Sequence, residues 1–106
     1  MNYGVNSMVA PLERVAVRPP ARGSDFAMAH WAQPLDVDLL LRQHADFVEL
    51  LTRLGCAVDV LDPIDELADS CFTYDPAFVI SDGIVELASA KAVRVGEGAR
   101  LVQDLE

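Results

Sequence analysis

The chain has 106 residues, with 8 Lys and Arg against 17 Asp and Glu for a net charge of −9, and so acidic a chain excludes the phosphate-neutralising footprint of a nucleic-acid or anionic-membrane binder. At 52% hydrophobic and 24% charged residues it has the make-up of a globular domain and is too apolar for intrinsic disorder. No apolar run approaches the roughly 18 residues of a membrane span, and the N-terminus lacks a basic-then-apolar signal, so a cytoplasmic protein is expected.

In chain order, Leu12 to Val17 mixes β-branched and alternating positions and predicts a strand that ends at Arg18, before Pro19-Pro20, which cannot continue a ladder. From Pro19 to Pro34 no period survives, and a loop of that length is either a functional lid or a plain connector. Asp36 then precedes Leu39, Leu40, Phe47, Val48, Leu51 and Leu54 at helical spacing, with Gly55 as the left-handed residue after the last turn. Ala57 to Leu61 reads as a short strand closed by Asp62-Pro63.

A second unit opens at Cys71. The stretch Phe72 to Ile80 is rich in strand formers, Asp82-Gly83 is a hairpin signal, and Ile84 to Leu87 is the expected return strand. A helical pattern then runs from Gly96 to Glu106 without a returning strand, so by the template of the first unit the second is expected to be incomplete.

The residues that could carry chemistry are few. Cys56 and Cys71 have no CxxC or His/Cys cluster around them and no electropositive setting, so both are expected reduced and packed, neither as a nucleophile. His30 in the long loop is expected to be solvated, and His44 on the helix to be a hydrogen-bonding face residue, so no general base is nominated. Gly96-x-Gly98 lacks the strand-turn-helix setting and third glycine of a nucleotide loop, and no cluster has metal-ligand spacing, so neither a cofactor nor a metal is expected.

Asp69, Asp75 and Arg94 stand out as a set. A carboxylate matches a planar guanidinium bidentately and an arginine does the same for a carboxylate, so two acids and a cation can bind a zwitterionic guanidino ligand. By spacing alone Asp69 reads as an acidic turn residue and Arg94 as a solvated surface charge, while for Asp75 structural hydrogen bonding and ligand binding both remain open.

The stretch Asp69-Ser70-Cys71-Phe72-Thr73-Tyr74-Asp75-Pro76-Ala77-Phe78-Val79-Ile80-Ser81-Asp82-Gly83, followed by Arg94 and Gly96-Glu97, resembles the N-terminal signature of the guanidine-modifying superfamily. That superfamily includes dimethylarginine dimethylaminohydrolase, arginine deiminase and the amidinotransferases. Leu12 to Pro20, and the helix leading into Leu54-Gly55-Cys56-Ala57-Val58, are similar in order and spacing.

The resemblance implies an α/β fold of the pentein type, a propeller of ββαβ units, here one unit at about 9–63 and an incomplete second at about 69–106. It also implies a hydrolase of guanidino, arginine-derived substrates. Asp75 would grip the guanidinium, Asp69 would meet the amino-acid end, Arg94 would take the α-carboxylate, and residues about Ala21 to Gln33 would form a lid. Tyr74 stands where one branch carries glutamate. The family's catalytic histidine and cysteine lie in later units, so this chain alone is expected to be inactive. The alternative is a non-catalytic interaction module whose open face is covered by a second copy or a complementary chain.

Overall fold

The computed structural model describes residues 4–106, and its organisation follows from where the chain can and cannot make backbone ladders. Strand β1 (Arg14–Val17) is followed by helix α1 (Val37–Arg53) and strand β2 (Ala57–Val60), which pairs with β1 in parallel, Arg14 opposite Ala57 and Val17 opposite Val60. A parallel pair needs a crossover, and α1 supplies it. Arg14 donates to both carboxylate oxygens of Asp59, at 2.6 and 2.9 Å, across the pair. The strand expected from Leu12 begins two residues later, at Arg14, and stops before Pro19 as expected.

Helix α1 has the boundaries its pattern predicts. The Asp36 carboxylate accepts from the Leu39 N–H at 3.0 Å, satisfying one of the free donors of the first turn. At the other end the Gly55 N–H bonds to Thr52 O and the Cys56 N–H to Leu51 O, with Gly55 at φ +96°. That is a Schellman ending, and it explains why a glycine stands there. The apolar stripe divides: Val37, Leu40, Leu41, Val48 and Leu51 are half-buried, whereas Leu39, Phe47, Leu50 and Leu54 are exposed.

Strands β3 (Ala77–Ile80) and β4 (Gly83–Glu86) form an antiparallel hairpin, with Val79 opposite Ile84 and Ile80 opposite Gly83. The turn residues are therefore Ser81-Asp82, one position before the expected Asp82-Gly83. This register turns Ala77, Val79 and Ile84 toward the core shared with Leu101 and Leu105, and a one-residue slip would turn them away. Helix α2 (Glu97–Leu105) contributes Leu101 and Leu105 to that core, and Ala16 and Leu61 reach it from the first sheet.

Phe72 to Pro76 is not a strand. Ala68–Cys71 is a 3₁₀ turn and the chain then bends through Thr73 to Asp75. Pro76 has no N–H to give a ladder, the Thr73 hydroxyl donates to Ala16 O at 3.1 Å, and the Phe72 carbonyl accepts from Arg94. The bend places Asp75 at the head of the hairpin rather than within it.

Between β1 and α1 the chain has no regular structure, yet it is packed. Phe26 and Ala29 are buried with Ala68 in a second core to which Trp31, Leu35, Val37, Leu40 and Val93 contribute. The loop is thus packed rather than loose. No described helix is long and apolar enough to cross a membrane.

Candidate functional site

The site assembles around Arg94, which lies in a short 3₁₀ turn (Ala92–Arg94) just before α2. Its guanidinium donates through Nε to both oxygens of Glu97 at 3.0 Å, and through Nη2 to Glu97 Oε1 at 2.7 Å. Nη2 also reaches Phe72 O at 3.1 Å and Asp69 O at 3.4 Å, and Nη1 donates to Asp75 Oδ2 at 2.8 Å. The Glu97 hydrogen bond comes first in raising the Arg94 pKa above its ordinary value; burial opposes it, and Asp75 adds to it. Arg94 is a permanent cation.

The charges differ in freedom. The side chains of Glu97 and Arg94 are 3% and 13% exposed, whereas that of Asp75 is 58% exposed. Asp75, Arg94 and Glu97 line a cleft of about 210 Å³ together with Pro76, Leu87, Ala88, Ser89 and Gly98. With two carboxylates and one guanidinium, the cleft carries one net negative charge, and Asp75 is its exposed member.

Of the three residues singled out in the sequence, Asp75 and Arg94 are in contact. Asp69 joins them only through its backbone carbonyl. Its carboxylate is buried and turned elsewhere: Oδ1 accepts from Trp31 Nε1 at 2.7 Å and Oδ2 from Lys91 Nζ at 2.6 Å. Lys91 Nζ also donates to Ala29 O at 2.8 Å, so Asp69, Lys91 and Trp31 fasten the long loop beside the site. Burial on its own would raise the Asp69 pKa, but the bonds from Lys91 and Trp31 and the nearby charges of Lys91 and Arg94 hold it below the ordinary carboxylate value.

Lys91 and the pairing role of Glu97 were not among the candidates. For Glu97 the signal was the i, i+3 spacing from Arg94; for Lys91, far in sequence from both Asp69 and Ala29, there was none. The Cys71 thiol offers no nucleophile at neutral pH. Burial, then the Asp69 charge, pushes Cys71 up to about 11, and the Cys56 thiol lies 3.4 Å from Leu12 O. His44 lies half-buried with its ring edge-on to Phe47 at 6.5 Å.

No protein-family profile matches the chain, and no curated protein matches it. Solved structures do. The fold is similar to that of dimethylarginine dimethylaminohydrolase in its adduct with 4-chloro-2-hydroxymethylpyridine, with a TM-score of 0.74 and 22% identity over 88% of this chain. It is likewise similar to a variant of the Pseudomonas aeruginosa enzyme complexed with citrulline, at a TM-score of 0.73 and 21% identity over 87% of this chain. A third, the dimethylarginine dimethylaminohydrolase adduct with S-methyl-L-thiocitrulline, gives 0.73 and 20% identity over 88%. The chain spans 36–37% of the length of these structures. What is shared is the fold, a small α/β arrangement of two short sheets and two helices.

Proposed function

We propose that this chain is the N-terminal, substrate-binding part of a dimethylargininase-like hydrolase acting on guanidino, arginine-derived substrates. The observation that carries the proposal is the Asp75–Arg94 ion pair at the mouth of a cleft, in a fold shared with enzymes solved in complex with citrulline and thiocitrulline compounds. In the free chain the acid and the cation hold each other. A zwitterionic guanidino ligand exchanges that one pair for two, its guanidinium on Asp75 and its carboxylate on Arg94 Nη1. Asp69 serves the same site by holding the loop of about Ala21 to Gln33 beside it.

The division into a pentein unit at about 9–63 and a second, incomplete unit at about 69–106 belongs to the same proposal. Neither Cys56 nor Cys71 is assigned the nucleophile's role, and neither His30 nor His44 that of the base, so binding without turnover is expected of these 106 residues. Calorimetric titration with arginine, dimethylarginine and citrulline tests the binding. Heat with the cationic ligands that weakens at least about tenfold in Asp75→Asn is expected. No heat with any of the three at millimolar concentration would refute the proposal.

A second reading is favoured by the exposure of Leu39, Phe47, Leu50 and Leu54 on α1: a non-catalytic module that covers this face with a second copy of itself. Light scattering tests this reading, since a strict monomer excludes the module.

A further inference from the structure

We infer that Glu97 is the positioning residue of this site: it fixes the Arg94 guanidinium with Nη1 toward the cleft, and so sets a preference for guanidino ligands that also carry a carboxylate. The inference rests on the guanidino-binding proposal above. A guanidinium has five N–H donors. Glu97 takes Nε and one Nη2 donor, and Phe72 O takes Nη2 as well. That leaves Nη1, which donates to the exposed Asp75 carboxylate.

Glu97 is itself held. A Cβ on the next residue, Gly98, would lie 2.6 Å from Leu87 O and 3.0 Å from Pro76 O, so the first turn of α2 sits directly on the base of the hairpin. The Leu87 N–H to Pro76 O bond closes that base at 3.0 Å. The buried half of the trio, Glu97 and Arg94, is thus fixed by packing and paired hydrogen bonds, and Asp75 is the member free to move.

The carboxylate and guanidinium carbons of arginine are about 7 Å apart in an extended chain, from bonds of ~1.5 Å. Asp75 and Arg94 are in contact, so a ligand that engages both must part them. Asp75 swings to the guanidinium while Arg94 stays and offers Nη1 to the carboxylate. A ligand without a carboxylate, such as agmatine, parts the pair and leaves Nη1 with nothing in return. Without the Glu97 charge, Arg94 loses its anchor and that distinction goes with it, while the Asp75 contact to the guanidinium remains.

Titrating the 106-residue chain and Glu97→Gln with arginine and agmatine decides the matter. Expected is a preference for arginine of at least about tenfold in the parent chain, falling to within about twofold in E97Q. Should E97Q lose its helical circular dichroism, Glu97→Asp, which keeps the charge and withdraws it by one methylene, makes the same comparison. A preference that survives the substitution overturns the inference. So does equal binding of both ligands by the parent chain, which leaves the Asp75 grip intact; no binding of either ligand overturns the functional proposal itself.

Discussion

Asp69 keeps its charge while buried because each of its oxygens has a donor, Trp31 on one and Lys91 on the other. Its folded-state pKa lies below the ordinary 3.8, so its ionised form stabilises the fold in full above that value, and the contribution is lost as pH falls through the folded-state value. Thermal melting should therefore show a drop on acidification below pH 3.8 that is shallower in Asp69→Asn. At neutral pH that variant should lose about 1–3 kcal/mol, nearer the lower figure because Lys91, being exposed, can turn to water. Trp31 is the only tryptophan, so its emission reports directly whether the loop stays fastened. Cys71, at about 11, should be alkylated slowly at neutral pH. Its rate, followed by mass spectrometry, should rise roughly tenfold per pH unit on the way up, since the thiolate is the reactive form.

At the scale of elements, what the sequence made legible was whatever is decided within a few residues. Asp36, the i, i+3, i+4 stripe and Gly55 define α1 by local hydrogen bonds, and the structure keeps all three. Asp36→Ala should accordingly cost about 1 kcal/mol, read as a lower melting temperature with the fold unchanged. What was not legible was decided by partners distant in sequence. Phe72 to Asp75 has strand-forming residues, but its polar groups are claimed by Ala16 and Arg94, and Pro76 adds no donor. For the candidate site, Asp75 and Arg94 were legible as complementary charges, whereas the Lys91 link to Asp69 and Ala29 is a product of tertiary packing alone. The docking of α2 was equally hidden, because nothing in the helical pattern from Gly96 to Glu106 marks Gly98 as a point of close approach. Gly98→Ala drives a methyl group into backbone carbonyls, and we expect a loss of about 1–3 kcal/mol together with weaker ligand binding, as Glu97 shifts with the helix.

Across the whole molecule, the first sheet and the hairpin with its helix are tied by one buried charge. Arg18, 2% exposed, leaves the end of β1 and donates Nη1 to Asp62 O at 2.7 Å, at the end of β2, and Nη2 to Asp104 Oδ2 at 2.5 Å, in the last turn of α2. Asp104 also accepts from Arg100 at 3.2 Å, and the Thr73 hydroxyl makes a second polar link to Ala16. Around these links the apolar contact is modest, Ala16 and Leu61 against Ala77, Leu101 and Leu105. Removing Arg18 leaves the Asp62 carbonyl without this donor and the partly exposed Asp104 carboxylate with Arg100 alone, so Arg18→Met should cost about 3 kcal/mol, the low end for a broken buried pair. That is a large share of the roughly 5–15 kcal/mol of an ordinary domain. Asp104→Asn keeps an acceptor for Arg18 and should cost less. If Arg18 couples the two halves, urea unfolding of the parent chain should give coincident transitions by circular dichroism, dominated by α1, and by Trp31 emission. In Asp104→Asn both should move together to lower urea. Transitions that separate in the parent chain would mean that the halves fold independently and that Arg18 does not join them.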